Sequence, residues 1–281
     1  MRVAQVLILV AVLVLVVTMP ALAWERGFTW DNGGKIALAR NTTVQVYGWK
    51  NDLFGDVNVK GMSLDLDDEA DFSAKTRLGL TITHGLSKKN NLLLTYNSFD
   101  HSGRINKTVT FDNRNYQAGA NLQLKNRWFD LTWSHNLNFW SQGGTSSQER
   151  RGGFIDGLLG IKISQADLDV AGYAPVTNAY TTGSWSESFP IPYIGLAAGS
   201  QVAKNLWLDG HLKFISVNVG DGSVRSIDFD LNAALRLNPQ QKDTEWFATL
   251  GYRSFNIDGE ADNDNINVGY RGPTFGLLAR F

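Results

Sequence analysis

In residues 273–281 every second position is apolar: Pro273, Phe275, Leu277, Ala279 and Phe281, with Thr274, Gly276, Leu278 and Arg280 between them. A period of two is the mark of a strand with one apolar face. The clearest instance lies upstream, where Ile227, Phe229, Leu231, Ala233, Leu235 and Leu237 alternate with Asp228, Asp230, Asn232, Ala234, Arg236 and Asn238. Such segments recur at residues 42–49, 72–84, 91–99, 109–124, 128–140, 153–163, 167–173, 188–202, 206–219, 224–238, 245–257 and 267–281. Turn signals separate them, among them residues 85–90, Lys125-Asn126-Arg127, Lys204-Asn205, Gly220-Asp221-Gly222 and residues 239–243. The pattern predicts an all-β fold of about twelve antiparallel strands, and an even number returns both chain ends to one side.

The start of the chain has a different pattern. Arg2 precedes an apolar run at residues 6–17, and Pro20-Ala21-Leu22-Ala23 offers an Ala-x-Ala cleavage site. The run is too short for a helical span, which needs roughly twenty residues. We therefore expect a signal peptide at residues 1–23, an N-terminal periplasmic segment at 24–41 and the strands at 42–281. No cysteine is present, which excludes disulfides and thiolate metal sites. The net charge of −1 gives no support to a nucleic-acid partner. A mean hydropathy of −0.18 excludes a helical bundle in lipid, yet suits strands that alternate.

A last strand that stops on a terminal aromatic carboxylate, Phe281, resembles the closing strand of Gram-negative outer-membrane β-barrel proteins. The resemblance implies a transmembrane antiparallel up-and-down β-barrel, in contact with outer-membrane lipids and lipopolysaccharide, whose C-terminal strand is read by the barrel assembly machinery. Short and long connections alternate, as turns and external loops do in such barrels. Trp128-Phe129, Trp207 and Trp246-Phe247 stand beside short turns and resemble an interfacial girdle. His135 falls on the apolar face of its strand. Pro190 and Pro192 suggest that their strand starts late or bulges, and Pro273 is placed near the outer rim.

Twelve strands enclose a lumen that side chains can largely fill. The polar faces carry both signs of charge, Asp130 and Lys162 among them, with no one-sign ladder of the kind an ion-selective path uses. If the turn at Gly220-Asp221-Gly222 sets the register, Lys213 lies opposite Asp228 or Asp230, and Arg253 lies opposite the same pair. These four, with His211 and Arg236, are the candidate constriction past which small solutes would move in a small passive pore. The same cluster could instead neutralise buried charge in a structural envelope component.

Two other classes of function would leave their own marks on the sequence. A lipid- or lipopolysaccharide-modifying hydrolase would need a histidine within reach of a serine, and no histidine here has a serine two positions away on its strand. Asp209-Gly210-His211 is similar to half of the acid-plus-histidine site of outer-membrane aspartyl-type proteases, but it stands by a turn rather than at the outer rim. An adhesion or binding barrel would work through its loops. Two of these loops are acidic, one with Asp65, Asp67, Asp68 and Glu69, the other with Asp262 and Asp264. Adjacent in a closed barrel, they could bind Ca²⁺ or Mg²⁺, alone or bridging to lipopolysaccharide phosphates. No other cofactor is expected.

Overall fold

The structure, a computed structural model, describes residues 42–87, 89–142, 151–203, 205–219, 222–238, 244–261 and 264–281. The expected signal peptide and N-terminal segment lie outside the described residues. The strands are β1 (Thr42–Val59), β2 (Met62–Asp65), β3 (Lys75–Gly85), β4 (Asn90–Arg104), β5 (Val109–Phe111), β6 (Arg114–Tyr116) and β7 (Asn121–Gln142). They continue with β8 (Arg151–Tyr173), β9 (Tyr180–Ala203), β10 (Leu206–Val219), β11 (Gly222–Arg236), β12 (Glu245–Ala261) and β13 (Asp264–Arg280). The wall runs β1-β3-β4-β7-β8-β9-β10-β11-β12-β13, antiparallel throughout, and closes by pairing β13 back on β1, from Thr43↔Arg280 to Asn58↔Asn265. Among the described residues no helix is long and apolar enough to cross a membrane.

Among the described residues ten strands close the barrel, two fewer than the count of about twelve. Residues 121–142 form the single strand β7, and residues 151–173 the single strand β8, where the pattern predicted a break in each. Lys125, Asn126 and Arg127 do not turn. They pair with Asp100, Phe99 and Ser98 on one side and with Asp167, Ala166 and Gln165 on the other. The remainder of the fourth predicted segment, β5 and β6, is a small hairpin outside the wall. Parity survives two mergers, and the N–H groups of Thr42 and Phe281 each donate to the other's carbonyl, at 3.1 and 3.0 Å.

What breaks the sequence pattern inside β7 and β8 is a change in which face is apolar. In the half of the barrel near the chain ends (the lower half), Phe129, Leu131, Ile163, Ile194, Phe214 and Ile227 point outward and are exposed, while Asp130, Thr132, Ser134 and Lys162 are buried inside. Further along the same strands, in the upper half, outward positions are polar: Lys125 and Arg127 on β7, Asp167 and Asp169 on β8, Ser216 and Asn218 on β10. The inward positions there are Leu122, Leu124, Leu168, Val170, Ile257 and Val268, all buried. An apolar side chain has to leave water, and the two halves achieve this in opposite directions. The apolar outer belt runs from Ile227 to Leu235 on β11 and from Trp246 to Tyr252 on β12, close to the length of a strand crossing a bilayer aslant.

The upper end is stoppered by the connections. Met62, Leu64 and Leu66 after β1, with Val109, Phe111 and Tyr116 of the β5–β6 hairpin, are buried in the same core as the strand residues below them. Three local expectations change as well. Trp128 is not at a rim: it is fully buried at mid-height, although Trp246 does stand exposed beside its turn. Pro273 sits in the wall opposite Tyr252, where the β1–β13 register skips from Trp49↔Thr274 to Asp52↔Arg271, rather than at the outer rim. β9 neither starts late nor bulges at Pro190 and Pro192, which pair in register with Ile163 and Ile161.

Candidate functional site

The hairpin register places Lys213 opposite Asp228 and Asp230 opposite Arg253, so β10, β11 and β12 carry the predicted cluster into the lumen at one height. All four side chains are buried. Two of the ion pairs run across the lumen rather than along the hairpins. Lys213 Nζ donates to Asp130 on β7 at 2.9 Å, and Lys162 Nζ on β8 donates to Asp228 at 2.8 Å. The Arg253 guanidinium clasps Asp228 with two hydrogen bonds, of 3.1 and 2.8 Å. It also donates to Tyr47 Oη at 3.2 Å, and that hydroxyl donates to Asn97 Oδ1 at 2.8 Å. On the other side Tyr193 Oη donates to Asp130, and Thr132 joins both.

The network therefore ties β1, β4, β7, β8, β9, β10, β11 and β12 together through the middle of the barrel. Gly79 and Gly160 leave the space that the rings of Tyr47 and Tyr193 occupy. His211 lies at the lower edge of the layer, 3.8 Å from Asp228. Arg236 is not part of it: it pairs with Glu245 at 2.7 Å near the lower rim, where Arg280 joins the same carboxylate at 3.4 Å. Between rim and layer the lumen is polar, lined by Gln45, Thr81, Thr95, Asp209 and Thr249. Asp209 and His211 are therefore inward-facing residues of the lower half, far from the outer rim.

Directly above the ions lies an aromatic layer. Trp49, Phe99, Trp128, Phe255 and Tyr270 are 2% exposed or less, with successive ring centroids 4.6 to 5.2 Å apart. Lys162 Nζ sits 4.4 Å from the Trp128 ring centre and 3.8 Å from that of Phe255, and Arg253 lies 5.2 Å from Trp49. A cation against the face of an aromatic ring is held by the ring's quadrupole. The buried charges are thus compensated from the side by opposite charges and from above by aromatic faces, which is what keeps their desolvation tolerable. Above the aromatics comes the apolar core of the upper half, with a cavity of about 30 Å³ beside Tyr270.

Sequence reasoning named Lys213, Asp228, Asp230, Arg253 and His211 for this layer; it placed Asp130 and Lys162 among the inward charges without joining them to it, and did not reach Tyr193 or the aromatic roof. Parity carried part of the missing signal. Leu122, Leu124, Trp128, Asp130 and Thr132 share one parity along β7, so the buried tryptophan and the buried carboxylate belong to one inward face.

The acidic connections are spent on the backbone. Asp65 Oδ1 accepts from the N–H of Asp67 (2.8 Å) and of Asp68 (3.1 Å), Asp67 accepts from Gly55 N–H at 3.0 Å, and Asp264 accepts from Lys60 N–H at 3.0 Å. Glu69 pairs with Lys107, and Asp262 lies outside the described residues. Among the described residues no three acidic or histidine side chains are placed to hold a metal ion.

No protein-family model matches the chain, and no curated protein matches it. Similar solved structures include the outer-membrane protease OmpT of Escherichia coli, at 11% identity and a TM-score of 0.49 over 87% of this chain and 99% of that one. The outer-membrane protein OprG of Pseudomonas aeruginosa is similar at 13% identity and a TM-score of 0.31, covering 86% and 96%. The Pseudomonas putida toluene transporter TodX follows at 8% and 0.26, covering 85% and 89%. The likenesses are to outer-membrane β-barrels.

Proposed function

We propose that the protein is an integral outer-membrane barrel with a sealed lumen, a structural or binding component of the envelope rather than a passive pore. The observation that carries this reading is the pair of stacked layers at mid-height, ions crossing the lumen with aromatics packed on them. A solute moving past Lys213, Asp228, Asp230 and Arg253 would have to break buried ion pairs and then displace Trp128 and Phe255. The belt of outward Ile, Leu and Phe on the lower half supports placement in lipid, with the chain ends on the periplasmic side. Residues 273–281, with Phe275, Leu277 and Phe281 exposed outward, are the segment we assign to the assembly machinery.

Single-channel recording of the purified protein in a planar bilayer tests the seal. We expect a flat baseline, and reproducible conductance steps would contradict it. Heat-modifiable migration and fractionation with the outer membrane test the placement, and recovery in the soluble periplasm would remove it.

A further inference from the structure

The ladder that joins β9 to β10 does not run the full height of the wall. The β9–β10 ladder runs from Leu206↔Ala203 to Phe214↔Ile194 and ends there. Both strands continue: β9 reaches Tyr180 paired with β8, and β10 reaches Val219 paired with β11. The free edge of β9 meets side chains instead of a strand. The carbonyl of Thr182 accepts from Arg114, and that of Ser184 accepts from Lys60 Nζ at 3.3 Å. In an antiparallel strand, residues of one parity direct their N–H and C=O groups to the same side. Pro190 and Pro192 share that parity, so their missing donors fall on the open edge, where no ladder bond is lost and none can form. Prolines on an edge also keep it from being zipped up by another strand.

The break begins at the top of the outer apolar belt, where Ile194 and Phe214 are exposed. Along it the inward side chains are Ile191, Ile215, Val217 and Trp185, of which the last three are partly exposed. Behind them is the 30 Å³ cavity, whose walls come from β1, β7, β8, β9, β12 and β13 and not from the β10–β11 hairpin. A stretch of wall without ladder bonds, with apolar inward side chains, thus stands at the top of the belt beside an apolar interior with which it shares Trp185, and the ion layer forms the floor.

We propose that this break is a lateral entrance through which one acyl chain of an outer-leaflet lipid leaves the bilayer and lodges against Ile191, Ile215, Val217 and Trp185. Moving the chain from lipid to an apolar lining exposes little hydrocarbon to water, which is what makes such a route open to an acyl chain and closed to a polar solute. The inference rests on the reading of the lower half as membrane-embedded, and its test separates the two.

The test uses the full barrel in phosphatidylethanolamine vesicles, with photoreactive benzoylphenylalanine placed singly at Leu212, Val217, Trp185 or Thr249, and mass spectrometry after irradiation. Heat-modifiable migration certifies that each variant is folded, and Trp185 serves should Val217 fail that check. We expect lipid adducts at Leu212, Val217 and Trp185 and none at Thr249. Replacing both prolines, Pro190→Val with Pro192→Val, should let the edges pair and lower the Val217 adduct at least five-fold with Leu212 unchanged. Adducts at Leu212 alone, or a Val217 adduct indifferent to the double substitution, would overturn the entrance. No adduct at Leu212 would overturn the membrane placement and the entrance with it.

Discussion

The lower and upper halves of this barrel are made from the same ten strands and solve the same problem in opposite ways. On the membrane placement proposed above, lipid takes up the apolar side chains of the lower half, so the interior there is free to be polar and is held by ion pairs across the lumen. In the upper half water surrounds the wall, so the apolar side chains must turn inward and pack, as in a soluble barrel. The comparison teaches that a strand need not have one apolar face along its whole length. β8 keeps its side-chain alternation from Ile155 to Asp169 and exchanges only the chemistry of its two faces, between Ile163 and Gln165.

The largest effect should come from attacking the lower half where it differs most from the upper. Asp228→Ala strips the shared partner from Lys162 and Arg253, leaving two buried charges uncompensated, at an expected cost of about 3–5 kcal/mol. Urea unfolding in detergent or vesicles reads it, and a loss below about 1 kcal/mol would mean the layer does not hold the barrel. The outer surfaces should differ next. Leu231→Arg places a charge halfway down the apolar belt on β11, between Ile227 and Leu235, and should cost about 2–4 kcal/mol. Ser216→Arg, one step above the belt on β10, should stay within about 0.5 kcal/mol. Equal costs for the two would erase the distinction between halves.

Acid should loosen the upper half selectively. His101, buried there against Asn51 at 2.7 Å, is held neutral by desolvation, with the charges of Lys75 and Arg77 acting the same way and Asp100 opposing them. Its pKa falls from an ordinary 6.5 to about 4. The folded form binds its proton less readily than the unfolded form. Stability from this group is therefore complete above pH 6.5 and declines as pH falls toward 4, by about 2 kcal/mol at pH 5. Hydrogen exchange along upper β4 and β7 should accelerate over that window, and His101→Gln should remove the dependence. The smallest effect is expected at the exposed Arg127–Asp167 pair, 3.2 Å apart, where Arg127→Ala should cost about 0.2–1 kcal/mol, less at high salt.

How far the sequence could be read follows from the same comparison. β11 was legible in full, because its Asp228/Asp230 face and Ile227/Phe229 face lie mostly within the lower half. The register across its two hairpins followed from the turns, which is why Lys213, Asp228, Asp230 and Arg253 were found together. β7 and β8 were each divided, because an exchange of faces within a strand looks like a turn when lipid is assumed along its whole length. The polar Lys125-Asn126-Arg127 stretch strengthened that illusion by resembling a loop. Lys162 and Asp130 were legible as inward charges but not as members of the cluster, because their partners stand across the lumen, on strands that are not neighbours in the wall. The acidic residues of the first loop were legible only as a cluster, because the sequence does not show that Asp65 and Asp67 accept hydrogen bonds from nearby N–H groups.

The exchange of faces at one height is the claim on which the rest depends, and a nitroxide scan along β8 in vesicles tests it most directly. Spin labels placed singly at positions 155–170 are read for collision with oxygen, which concentrates in lipid, and with a water-soluble paramagnet. We expect odd positions through Ile163 to be oxygen-accessible, Gln165, Asp167 and Asp169 to be water-accessible, and Lys162, Ser164, Ala166 and Leu168 to be shielded from both. Oxygen accessibility persisting past Gln165, or water reaching Lys162 and Leu168, would contradict the account.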